Sequence, residues 1–243
     1  MKTMDYCLNV LGSLKLQGIA TALPGIPSDS QISHLDFLKT LLEEEIAYRT
    51  ERRMKKNLTG AHFPVIKTIE DFELEGLSGI TQKQINNLLE FTWIDRNENL
   101  LLFGPPGLGK THLSIALGLK AIAKGYTVCF ERITSLVKLL KTMEVQRSAT
   151  FRINRILKSD VLIIDEIGYT PIDRKEANLF FSLVSQLYER SSVVITSNKS
   201  FDAWAEMLGD EVMTTALLDR LLHHAHVFSL DGVSYRISKK KES

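Results

Sequence analysis

Lys110 and Thr111 close a glycine-rich run whose spacing is suited to holding phosphate. From Gly104 the chain reads GPPGLGKT, so Gly104, Gly109, Lys110 and Thr111 fall in the register G-x-x-x-x-G-K-[ST]. Glycines at 104, 107 and 109 let the backbone curl so that N–H groups point inwards at phosphate oxygens, and a helix beginning near Lys110 adds the positive end of its dipole. The expected cradle is Gly104, Pro105, Pro106, Gly107, Leu108, Gly109, Lys110, Thr111 and His112. Lys110 reaches the β- and γ-phosphates as a point charge, and the Thr111 hydroxyl takes one position on Mg²⁺.

Two more segments supply polar groups of the right kind. The apolar run Val161 to Ile164 ends in Asp165-Glu166, and the run Ser192 to Thr196 ends in Ser197-Asn198. Asp165 is expected to hold Mg²⁺ with Thr111, and Glu166 to polarise the water that attacks the γ-phosphate. Asn198 would orient that water or report the γ-phosphate. A guanine nucleotide is the rival ligand, because Asp165 to Gly168 fits D-x-x-G and Asn198-Lys199 begins like N-K-x-D. That match fails at Phe201, where the guanine reader needs a carboxylate, and Asp202 is one position out of register. The reading is therefore ATP and Mg²⁺.

These groups need strands that end at a common edge. Leu100 to Phe103 precedes the loop, and Leu113, Ala116, Leu117, Leu119, Ala121 and Ile122 stripe the helix after it up to Lys124-Gly125. A strand over Tyr126 to Phe130 follows, then helices over Thr134 to Met143 and Phe151 to Leu157, the Val161 strand, a helix over Asp173 to Glu189 and the Ser192 strand. Such alternation specifies an α/β fold with a parallel sheet, whose ligands bind beyond the carboxyl ends of the strands.

Upstream, the pattern divides residues 1–60, a helical N-terminal domain, from a connector at 61–80 and an ATPase domain at 81–243. Ser33 is placed to cap a helix with Leu35, Leu38, Leu42 and Ile46 at helical spacing. Farther along it Arg49, Arg52, Arg53 and Lys56 share a face, read either as a solvated helix end or as a phosphate-contacting surface. Asn57 to Gly60 ends that unit. The connector, from Phe63-Pro64 through Ile66, Ile69 and Phe72, either packs beside the nucleotide or links domains. A single helix is expected from Thr81 to Trp93.

With 243 residues, 44% hydrophobic and 24% charged, the chain is long enough for one α/β domain and a small additional unit. A net charge of +1 removes any global nucleic-acid signature, so DNA binding has to rest on local clusters. Cys7 and Cys129 read as reduced thiols, and no secretory leader or membrane span is recognised, which implies a cytoplasmic protein. Arg220 lies in a helical stretch, Thr215 to Leu222, beyond the last strand feeding the site, and could serve a neighbouring subunit. Arg236, in the strand-like Tyr235 to Ile237, is a candidate for the subunit's own phosphates. His223, His224 and His226 lack Cys or acidic companions at ligand spacing and read as ordinary histidines. Lys239 to Lys241 is a short basic tail.

GPPGLGKTHL, VLIIDEIGYTPI, ITSNKSFDAW and LLDRLLHHAHVFSLDGVSYR, in this order and spacing, resemble the IstB-like ATPases, regulators encoded beside transposases in bacterial insertion sequences. These are related to the DnaC-type helicase loaders within the AAA+ superfamily. The resemblance implies a P-loop AAA+ core with a five-stranded parallel sheet, in which the Asn198 strand lies between the loop strand and the Asp165 strand. It implies catalytic roles for Lys110, Glu166 and Asn198, with Arg220 as an arginine finger for the adjacent protomer. The implied activity is ATP hydrolysis by a homo-oligomer that assembles on double-stranded DNA, deforms it and recruits a transposase; the alternative is a loader of a replicative helicase. The basic segment carrying Lys138, Lys141, Arg147 and Arg152 corresponds to an element that faces DNA in this clade. The stretch after Asn198 is too short for a full C-terminal helical lid, which is the usual carrier of a second sensor such as Arg236.

Overall fold

A computed structural model describes residues 2–26, 33–168 and 172–232. The chain divides into two compact units, Met1–Lys56 and Asn57–Ser243. Arg236, Tyr235 to Ile237 and Lys239 to Lys241 lie outside the described residues.

The first unit holds α1 (Lys2–Ser13), α2 (Gln17–Ala22) and most of α3 (His34–Ala61). Ser33 caps α3 as expected: its hydroxyl accepts from the Asp36 N–H at 3.1 Å and donates to the Asp36 carboxylate at 2.7 Å. Where α2 meets α3, a Cβ on Gly18 would lie 2.7 Å from the Glu45 backbone, so the approach requires glycine. Buried Glu45 accepts from the Ile19 N–H at 3.1 Å and from Arg49 Nε at 2.7 Å, and Arg49 also donates to the Lys15 carbonyl. Arg49 is thus a structural cation of this unit. The packed side of α3 carries Leu41 and Glu45, whereas Leu35, Leu38, Leu42 and Ile46 are exposed, by 48% to 79%.

The second unit contains β1 (Leu77–Ser78), α4 (Gln82–Leu89), α5 (Thr92–Asp95), β2 (Asn99–Phe103), α6 (Lys110–Lys124), β3 (Val128–Arg132), α7 (Ile133–Thr142), α8 (Arg147–Ile156), β4 (Val161–Ile167), α9 (Arg174–Leu187), β5 (Ser192–Ser197), α10 (Asp202–Leu208), α11 (Glu211–Leu222), β6 (Ala225–Ser229) and β7 (Asp231–Gly232). The main sheet runs β3-β4-β5-β2-β6, with every pair parallel, and β1 pairs with β7 antiparallel. The Asn198 strand, β5, does lie between the loop strand and the Asp165 strand. Alternating residues feed two cores: Leu101, Phe103, Leu162 and Ile164 meet α7 to α11, while Leu100, Leu102, Val161 and Ile163 meet α4 to α6. Among the described residues no helix is long and apolar enough to cross a membrane. Both cysteines are free, and burial pushes the Cys129 thiol up.

The structure corrects one expectation about the chain path and supplies two details beyond it. The helix expected over Thr81 to Trp93 is two helices, because Phe91 adopts φ 61° with its ring buried and the Trp93 indole N–H donates to the Leu88 carbonyl at 2.9 Å, closing the end of α4. The fifth strand of the sheet, to which no segment was assigned, is β6, built from AHVFS directly after the paired histidines. The α3 helix runs on to Ala61, past the end of the first unit at Lys56.

A second correction concerns Arg152, which is not a DNA-facing cation. Its side chain is 7% exposed, pairs with Glu131 through Nε at 2.6 Å, and donates to the carbonyls of Gly60, Ala61 and Phe130. Helical spacing placed it on the inner side of α8, against β3. Arg152→Ala would leave the Glu131 carboxylate buried without its cation, so calorimetry should read a loss of stability of about 3 kcal/mol; an unchanged melting temperature would return Arg152 to the surface set.

Candidate active site

Phe103, the last residue of β2, leads straight into the loop. Gly104 has φ 136°, and a Cβ there would meet the Leu230 carbonyl at 2.1 Å. Leu230 is held in turn by its N–H donating to the Phe103 carbonyl at 2.8 Å. Gly109, at φ 81°, is the residue before α6 and sits against the Phe72 ring, which a Cβ would approach to 2.7 Å. The connector therefore packs against the loop: Phe72 lies edge-on to His112, and His112 Nε2 is 2.8 Å from the Thr68 carbonyl. Lys110 Nζ donates to the carbonyls of Gly104 and Pro105 at 2.6 and 2.7 Å, which points the ammonium into the curl of the loop.

Asp165 is completely buried at the sheet edge next to that loop. Its Oδ1 accepts from the Thr111 hydroxyl at 2.7 Å and from the Thr196 hydroxyl at 2.6 Å, while no donor among the described residues reaches the buried Oδ2. A buried carboxylate oxygen without a donor, beside a threonine hydroxyl, is an all-oxygen donor set suited to a hard dication such as Mg²⁺.

One extra residue in β4 shapes the next position. Ile164 pairs with Ile195 and Ile167 with Ser197, so Asp165 and Glu166 oppose the single residue Thr196. Glu166 takes φ 65°, its N–H donates to the Thr196 hydroxyl at 3.0 Å, and its carboxylate lies 3.4 Å from Arg132 Nε at the end of β3. Asn198 follows β5 in a turn pinned by Ser197, whose hydroxyl accepts from the Lys199 N–H and donates to the Lys199 carbonyl. The buried Asn198 Oδ1 has no donor among the described residues and lies against Gly168, where φ is 110°.

The structure thus brings Lys110, Thr111, Asp165, Glu166 and Asn198 to one edge. Thr196 joins them and was missed; it read as the end of a buried strand, and only its hydroxyl in an otherwise apolar run hinted at more. Arg220 lies in the last turn of α11, half-buried, with its guanidinium 4.9 Å from the Phe181 ring centre and donating to the Ala216 carbonyl at 2.8 Å. Of the cations assigned to DNA, Arg52, Arg53, Lys56, Lys138 and Arg147 are exposed, and Lys141 pairs with Glu176 at 2.8 Å.

A parallel sheet with a glycine loop between β2 and α6, and a buried carboxylate on β4 one strand beyond β5, defines a P-loop nucleotide-binding domain. The fold resembles the crystal structure of DnaI at a TM-score of 0.57 and 18% identity, over 68% of this chain and 91% of that one. It also resembles the DnaC helicase loader at 0.51 and 21%, over 63% and 93%. Residues 9–243 match the family model described as IstB-like ATP binding protein, and the chain belongs to that family. A Pseudomonas aeruginosa protein of insertion sequence IS21, named for ATP binding, is 38% identical over 96% of this chain and 89% of its own length.

Thr196→Val removes one hydroxyl and almost no volume. Titration with ATP in the presence of Mg²⁺ should show affinity weakened roughly 10- to 100-fold, the range for losing a group that orients a metal ligand. Unchanged Mg-ATP affinity would leave Thr196 a packing residue.

Proposed function

We propose that this protein hydrolyses ATP between subunits and uses the ATP state to assemble on duplex DNA as a regulator of transposition. The observation that carries the reading is the convergence of Lys110, Thr111, Asp165, Glu166 and Asn198 at the carboxyl edge of β2, β4 and β5. The insertion-sequence context of its relatives supports transposition over helicase loading, since the likeness to DnaC is one of fold.

In this reading the loop N–H groups and Lys110 bind the triphosphate. Thr111 and Asp165 hold Mg²⁺, which supplies positive charge to the phosphate oxygens when bound. Glu166 takes the proton of the attacking water, and the Asn198 oxygen accepts from that water and orients it. Arg220 meets no carboxylate among its described contacts, so its charge is available to the γ-phosphate of an adjacent protomer. ATP then bridges subunits, and hydrolysis loosens the oligomer. The protein works in the cytoplasm, with residues 1–60 as a helical adaptor, a connector at 61–80, the ATPase at 81–243 and a transposase as partner.

Glu166→Gln should bind ATP and assemble on DNA yet turn over at least ~100-fold more slowly, the scale of losing a general base. Arg220→Ala should bind ATP and fail to hydrolyse it, and mixing the two variants should restore measurable hydrolysis, because one contributes the finger and the other the base. No rescue at any mixing ratio would place Arg220 outside the neighbour's site.

The exposed cations Lys138 and Arg147 are assigned to DNA phosphates. Replacing both by Gln should lower the slope of log affinity against log salt by roughly 2, the counterion release of two phosphate contacts. An unchanged slope would move the DNA to another surface.

A further inference from the structure

At the opposite edge of the main sheet, the strand starts bring together three side chains that the nucleotide site does not use. Glu189 lies in the turn before β5, and His223 and His224 lie between α11 and β6. The phosphate loop leaves the far end of β2, a five-residue strand, so about 16 Å of sheet separates the two places. One potential ligand atom from each of Glu189, His223 and His224 lies within 4.8 Å of the other two, and all three residues are exposed. The imidazoles stand 4.1 Å apart, centre to centre.

The backbone around these side chains is pinned from both directions. His224 accepts through its carbonyl from the Asn99 N–H at 2.7 Å, and the Asn99 amide donates to the Leu221 carbonyl at 2.9 Å. The Glu189 carbonyl accepts from the Asn97 side chain at 3.2 Å, and Glu189 itself adopts φ 57°. One short segment, Asn97 to Asn99, therefore fixes both halves of the cluster. The Tyr188 hydroxyl is 2.6 Å from His223 Nδ1, with the two rings stacked, which orients the imidazole and leaves Nε2 to a ligand. His226 is engaged elsewhere, 2.7 Å from Glu98.

We propose that Glu189, His223 and His224 form a binding site for a transition-metal dication of the Zn²⁺ type, with Tyr188 as the residue that positions His223. Two imidazoles and one carboxylate suit Zn²⁺, which binds nitrogen and oxygen ligands and completes its four positions with water. Nitrogen donors disfavour Mg²⁺ and Ca²⁺, and the absence of sulfur from the set disfavours Cu(I). The ion ties the turn after α9 to the end of α11, the helix that carries Arg220. This site stands independently of the assignment of ATP chemistry.

The test uses full-length protein without a histidine tag. Co²⁺ serves as the visible probe, because a protein-bound tetrahedral or five-coordinate ion absorbs far more strongly than the hydrated one, and Zn²⁺ affinity follows by competition. One ion per chain is expected, in the micromolar range, with affinity reduced at least ~10-fold by His223→Ala, His224→Ala or Glu189→Gln and by a smaller factor in Tyr188→Phe. His226→Ala and Lys110→Ala should bind Zn²⁺ as the unaltered protein does. Circular dichroism of each variant separates loss of ligand from loss of fold, and Tyr188→Phe carries the test if a ligand variant unfolds. Absence of micromolar uptake, or uptake that folded variants at these positions leave unchanged, would overturn the site.

Discussion

The carboxylate of Asp165 is the interaction on which the rest of this structure depends. Burying a charge is expensive unless it is hydrogen-bonded, and here one oxygen takes two hydroxyl donors, from Thr111 at 2.7 Å and Thr196 at 2.6 Å. Hydrogen bonds to charged groups are worth roughly 1.5–3 kcal/mol each, enough to hold the ion in place while its second oxygen stays without a donor. The two donors come from the start of α6 and the end of β5, so the same contact that stabilises the charge locks the loop helix to two strand ends.

That contact also explains the strained backbone beside it. Thr196 stands opposite two residues of β4, and its single hydroxyl serves both, donating to Asp165 and accepting from the Glu166 N–H at 3.0 Å. In a regular strand adjacent side chains point to opposite faces of the sheet, and one would be lost into the core. The extra residue breaks that alternation and puts Glu166 at φ 65°, at a cost of order 1–3 kcal/mol, with its carboxylate out at the edge beside Arg132. Strain of this kind persists only where the surrounding bonds enforce it, and the Thr196 hydroxyl is one of those bonds.

What could be read from the residues was what spacing encodes locally. The loop is a contiguous string, β4 and β5 each contain a continuous apolar run, and Gly125 marks the end of α6, so sheet class and strand-end chemistry were legible. Features set by contacts across the sheet were not. The strand β6 was overlooked because AHVFS is short and carries no continuous apolar run like those in β4 and β5; it lies on the sheet edge, where Val227 is 46% exposed. Phe91 looked helical until its left-handed turn and the indole cap of Trp93 appeared. Glu189 is distant in sequence from His223 and His224, and only the fold makes them neighbours.

The cations show how a fold sorts charges that composition leaves equivalent. A net charge of +1 conceals a division between guanidinium and ammonium groups that hold the chain together and those left to solvent. Arg152 ties β3 and α8 to the end of α3, Arg49 satisfies Glu45, and Lys141 joins α7 to Glu176 at the start of α9. Arg220 belongs to neither group: half-buried over the Phe181 ring and anchored through the Ala216 carbonyl, it keeps its full charge with no carboxylate among the described residues to neutralise it. An aromatic face attracts a guanidinium by about 0.5–1 kcal/mol at an exposed site. An anion offers more, so the ring would not compete for the guanidinium with the phosphate that the proposed role in a neighbouring site assigns to it. That is the electrostatic arrangement expected of a cation whose partner arrives from outside the chain.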